Sequence, residues 1–146
     1  MVTCHVDVSP DYLSVAREEA ERRGHASRVT FVRGDFAELA PTQNESDVVT
    51  LDRVICCYPD MERLVALAAG KSGRLLGAVY PRAVWWMRLA VRGINAFNWI
   101  RRSAFRTYLH APAAIDAIVR AQGLERRSFE RTVGWEVAVY ARAAET

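Results

Sequence analysis

The sequence predicts an α/β fold, a layered sheet with helices packed against it. Three observations predict it. Short apolar runs alternate with stretches of helical periodicity along the whole chain. The first run ends on a carboxylate, Asp7, with a helix start directly behind it at Ser9-Pro10-Asp11. The last two runs are separated by little more than Val133-Gly134, the spacing of a tight antiparallel hairpin.

The elements follow in order. Residues 2–8 (VTCHVDV) read as a first strand. Ser9 is a good N-cap and Pro10 suits the first helical position. Leu13, Ala16 and Ala20 mark the buried face of that helix, Arg17 and Glu21 can pair one turn apart, and Gly24 closes it. A second strand is expected over 28–32 (RVTFV), ending in Gly34-Asp35-Phe36, with one helical turn over 36–39. Residues 47–54 (DVVTLDRV) read as a buried parallel strand. Asp60 caps a helix carrying Leu64, Val65, Leu67 and Ala68, stopped near Gly70. A strand over 74–80 (RLLGAVY), a long helix from Ala83 to about Arg101, and a helix starting near Pro112 and ended by Gly123 come next. Strands over 128–132 and 135–142 close the chain.

The 146 residues amount to a single domain, 1–146, and 51% apolar with 25% charged residues is an ordinary globular composition. No run of about eighteen apolar residues exists, so no membrane span is expected. The first residues show no basic stretch ahead of an apolar core, so no secretory leader is expected. Three cysteines, Cys4, Cys56 and Cys57, make no disulfide framework, and a cytoplasmic setting follows. No His/Cys spacing indicates a metal.

The net charge of +3 hides an asymmetry. Residues 1–62 carry 12 acids and 6 bases, residues 63–115 carry 9 bases and no acid, and residues 116–146 carry five of each. The basic block suits either a solvated helix face or an anionic partner. Its long helix interleaves arginines with Trp85, Trp86, Leu89, Phe97, Trp99 and Ile100. That pattern reads as a helix packed on the sheet, a lid over a substrate, or a helix lying on a membrane surface. No recognised nucleic-acid motif accompanies the charge.

Taken together, VTCHVDVSPDYL, RVTFVRGDF, SDVVTLDRVICCYPDM, RLLGAVYPR and the terminal WEVAVYARA resemble the class I S-adenosylmethionine-dependent methyltransferases. CCYPDM resembles a subset acting on small molecules, porphyrin-type methyltransferases among them. The resemblance implies a Rossmann-like sheet with helices on both faces and strand order 3-2-1-4-5-7-6, strand 7 antiparallel. It runs only from that fold's second strand onward. The family's first strand and its Gly-rich GxGxG turn are missing. That strand is central, and without it two inner edges are left with unpaired backbone groups. The expectation is a chain either incomplete at its N-terminus or completed by another segment.

On this reading the cofactor is S-adenosylmethionine. Asp7 would take the ribose hydroxyls, Gly34 and Asp35 the adenine amino group, Phe36 the adenine face, and Asp52 the cleft edge at the end of strand 4. Arg53, Tyr58, Trp86 and His110 would meet a small-molecule acceptor; no catalytic residue is assigned. The bland alternatives are a helix-capping role for Asp7, a plain turn at Gly34-Asp35-Phe36, an Asp52–Arg53 pair, and structural roles for Tyr58 and His110. The expected function is methyl transfer to a small molecule, impaired by the missing segment. Two rivals are a nicotinamide-dependent Rossmann reductase and a non-catalytic domain that binds an anionic partner through its Arg-rich helix. Acceptor, methylated atom and oligomeric state are left open.

Overall fold

The structure, a computed structural model, describes residues 2–143. It comprises two compact units, Met1–Gln43 and Asn44–Thr146.

The first unit is a β-α-β element. Strand β1 (Thr3–Asp7) pairs in parallel with β2 (Val29–Arg33), with Asp7 opposite Arg33. Helix α1 (Pro10–Arg22) connects them. Its start is as expected: the Ser9 hydroxyl accepts from the Tyr12 N–H, and Pro10 needs no partner at the first position. Gly24 adopts φ +69, which ends the helix. The expected Arg17–Glu21 pair does not form. Arg17 instead lies over the Phe31 ring, 5.1 Å from its centroid, and Glu19 pairs with Arg22 and Arg23. Those two guanidiniums hold the Glu19 carboxyl below the usual range. A single-turn helix, α2 (Phe36–Leu39), follows β2.

The second unit holds a four-stranded mixed sheet. Its strands are β3 (Ser46–Asp52), β4 (Ser72–Pro81), β5 (Leu124–Arg131) and β6 (Trp135–Arg142), in the order β3-β4-β6-β5. β3 and β4 are parallel, and β6 runs antiparallel to both β4 and β5. Alternate residues of β4 and β6 are buried, and they face one another in register: Leu76 with Tyr140, Ala78 with Ala138, Tyr80 with Glu136. Helix α3 (Met61–Gly70) buries Leu64, Val65, Ala68 and Ala69; α5 (Pro112–Ala121) buries Ile115 and Val119. These two helices pack on each other and on the sheet. Burial pushes the Tyr140 phenol above its ordinary range, with Tyr80 beside it as the next cause. Helix α4 (Trp85–Ile100) is different: among its residues only Val91 is buried.

Within each unit the strand order bears out the expected topology. Renumbered in chain order, the family arrangement without its first strand reads β2-β1, then β3-β4-β6-β5, with β6 antiparallel. Among the described residues β1 pairs with β2 alone and β3 with β4 alone.

Arg142, the last residue of β6, holds three segments together. Its guanidinium donates to Ser72 O through Nε (3.1 Å) and Nη2 (2.8 Å). It also donates to Ala69 O (3.3 Å) and Gln122 O (3.0 Å). One cation thereby meets the carbonyl ends of α3 and α5 and the first residue of β4. Helix C-termini favour positive charge.

Candidate functional site

In the first unit the two carboxylates singled out by sequence lie at one end of one parallel pair. Gly34 N–H donates to Asp7 O at 3.0 Å, so the turn after β2 is tied to the tip of β1. Asp7 is half-buried, and its Oδ1 accepts from Ser9 N–H at 2.7 Å. Its Oδ2 has no partner among the described residues. Asp35 caps α2, its Oδ1 accepting from Ala37 N–H at 2.8 Å. Asp7 therefore orders the loop into α1 while Ser9 performs the capping; Asp35 is itself a cap. Phe36 opens α2 and is half-buried beside them.

Gly34 is required by geometry. It adopts φ +156, and a Cβ there would stand 2.8 Å from Leu39 Cδ1. Gly34→Ala is expected to destabilise the first unit by about 1–3 kcal/mol. Urea denaturation, together with hydrogen exchange of the β1 and β2 amides, measures it.

In the second unit the C-terminal ends of β3 and β4 gather the remaining candidates. Asp52 ends β3 and pairs with Arg53 at 3.3 Å, both side chains exposed. Arg53 has φ 56, a left-handed conformation that stops the strand two residues before the expected end. Its guanidinium lies over the Trp135 ring, 5.4 Å from the centroid. Trp86 is half-buried near the hairpin turn: a Cβ on Gly134 would come 4.0 Å from its ring.

Tyr58 and His110 are brought together from 52 residues apart: His110 Nε2–H donates to Tyr58 O at 3.1 Å. That bond leaves Nδ1 as the basic nitrogen of the neutral ring. The Tyr108 ring stacks on His110 (5.9 Å between centroids), and Tyr108 N–H donates to Cys56 O at 2.7 Å. An open cleft of about 440 Å³ is lined by Pro59, Asp60, Met61, Glu62 and His110.

Sequence reasoning passed over Trp135, Asp60 and Glu62 as site residues. Trp135 was within reach of it: the antiparallel last strand must start at the edge where the parallel strands end.

The vicinal cysteines differ sharply. Both thiols point at Arg53 O, at 3.2 Å from Cys56 Sγ and 3.9 Å from Cys57 Sγ, and the two sulfurs are 3.7 Å apart. Cys56 is buried, and burial first, then its neighbour Cys57, pushes its thiol up to about 12. Cys4 and Cys57 are exposed. Because thiolate is the reactive form, mildly alkaline iodoacetamide is expected to label Cys4 and Cys57 and to spare Cys56 until denaturant is added. Peptide mass spectrometry reads the three sites separately.

Comparison with known proteins agrees with this geometry. Residues 2–70 match a family model described as a methyltransferase domain. That stretch, just under half of the chain, is similar to a methyltransferase domain. The methyltransferase sheet is matched by magnesium protoporphyrin IX methyltransferase from Synechocystis PCC 6803, solved with bound SAH (TM-score 0.76, 17% identity, 97% of this chain and 64% of that one). An O-methyltransferase family protein from Burkholderia thailandensis gives TM-score 0.76 at 16% identity, over 100% of this chain and 45% of that one. An O-methyltransferase family 2 protein from Planctomyces limnophilus, in complex with apigenin, gives 0.70 at 16%, over 96% and 42%. The chain thus spans less than two thirds of the length of each of these methyltransferases. No curated protein matches the chain in sequence.

Proposed function

We propose that this chain serves methyl transfer from S-adenosylmethionine to a small-molecule acceptor, both units belonging to one methyltransferase-type domain. The observation that carries the reading is the junction in which Gly34 N–H bonds Asp7 O and brings two half-buried carboxylates to one end of β1 and β2.

The residues present fit the adenosine half of the cofactor. Asp7 has one carboxylate oxygen fixed by its own loop and the other without a partner, which suits a pair of ribose hydroxyls. Asp35 would address the adenine amino group and Phe36 its face. When bound, S-adenosylmethionine supplies a sulfonium-activated methyl group. The chain's own work is then to hold the acceptor in line and exclude water. Such positioning supplies on the order of 7–11 kcal/mol in favourable cases. Asp52, Arg53, Tyr58, Trp86 and His110 would shape the acceptor side. His110 Nδ1 would take an acceptor proton, while its Nε2 bond holds the ring. A small aromatic acceptor is favoured by the neighbours solved with apigenin or named for protoporphyrin. Three free thiols support a reducing compartment, the cytoplasm.

Calorimetric titration of the full chain with S-adenosylhomocysteine, and in parallel with NADH, tests the reading. Saturable binding of the first alone is the expected result. Binding of NADH alone would move the assignment to a reductase, and binding of neither would remove the cofactor site from this chain.

A further inference from the structure

We propose that helix α4 docks this chain onto an anionic lipid surface, lying flat in the headgroup layer. The inference is independent of methyl transfer and rests on how α4 distributes its side chains. Its two asparagines are spent inward. Asn95 exchanges two hydrogen bonds with Thr107, Nδ2–H to Thr107 O and Thr107 N–H to Oδ1, both 2.8 Å. Asn98 Nδ2–H donates to Phe105 O at 3.3 Å. The helix therefore holds the segment before α5 with amides, and Val91 is its one buried residue.

The outward face is apolar. At 3.6 residues per turn, Trp85, Leu89, Ala96 and Ile100 form one stripe opposite Val91. Trp85 is 73% exposed, Trp99 72% and Ile100 71%, and Leu89 and Phe97 are more than half exposed. Exposed arginines Arg88 and Arg92 border that stripe alongside Trp99, and Arg101 lies over the Phe97 ring, 5.5 Å from its centroid. An apolar stripe of this size on a lone helix marks a docking surface.

Charge decides the occupant. Residues 63–115 carry nine bases and no acid, so nothing on this stretch repels a surface of phosphates. Tryptophan favours the headgroup depth, and arginine pairs with anionic lipid there. No described helix is long and apolar enough to cross a membrane, and α4, at 16 residues, suits lying in the interface.

The test uses the full chain with vesicles of phosphatidylcholine, with and without phosphatidylglycerol. Co-sedimentation and a blue shift of tryptophan emission are expected only with the anionic vesicles, both weakened by salt. Arg88→Gln/Arg92→Gln is expected to lower the partition coefficient roughly 30-fold. Trp85→Ser/Trp99→Ser is expected to abolish co-sedimentation, with an unchanged far-ultraviolet circular dichroism spectrum, since both side chains are exposed. Equal binding to neutral vesicles, no binding, or binding that survives both double variants would overturn the proposal. So would concentration-dependent self-association without lipid that Trp85→Ser/Trp99→Ser removes, because the stripe would then be covered by a second copy.

Discussion

Arg142→Ala is expected to lower the stability of the Asn44–Thr146 unit by about 2–4 kcal/mol, a larger loss than most exposed side chains produce. Four hydrogen bonds from one guanidinium reach Ser72, Ala69 and Gln122 carbonyls. Removing it leaves the Ser72 carbonyl, on a fully buried residue, without these donors. It also removes the positive charge at the ends of α3 and α5. Arg142→Lys should recover less than half of the loss, because a single ammonium cannot span three carbonyls as a planar fork does. Thermal and urea unfolding of the two variants against the parent chain measure both statements. A lysine variant as stable as the parent would show that charge alone accounts for the effect.

The second large effect concerns binding. Asp7→Asn is expected to weaken S-adenosylhomocysteine by about 2 kcal/mol, or roughly 30-fold in Kd. Asparagine keeps an acceptor for the Ser9 N–H, so the loop into α1 survives and the loss reports the carboxylate facing the ligand. Asp52→Asn should cost far less, because that carboxylate is exposed and already paired with its neighbour. Calorimetry on both variants separates the roles. Equal losses at the two positions would contradict the assignment of Asp7 to the ribose.

Local chemistry was legible in the sequence wherever one residue decides one boundary. Ser9 and Pro10 start α1, Asp60 caps α3 through the Arg63 N–H at 3.1 Å, and Gly123, at φ +79, ends α5. Boundaries set by the sheet were less visible. β5 begins at Leu124, four residues earlier than expected, because Glu125, Arg126 and Arg127 break the apolar alternation. An edge strand tolerates such residues, and β5 lies at the edge of its sheet. β3 stops at Asp52 because Arg53 turns left-handed, which no propensity announces for arginine. Of the site, the Asp7 and Gly34-Asp35-Phe36 pairing followed from two adjacent parallel strands. The Tyr58–His110 bond and the Arg142 clamp join positions 20 to 73 residues apart, and periodicity carries no information at that range.

Among the described residues β3 pairs with β4 alone, and this bears on how the purified protein behaves. Its other side pairs with no described strand, and Val48 stands 51% exposed along it. Such a rim recruits any extended segment of matching length, whether from another molecule of the same kind or from a foreign peptide. Concentration and storage history are thereby expected to matter: aged, concentrated stock should scatter more light than dilute, freshly prepared material.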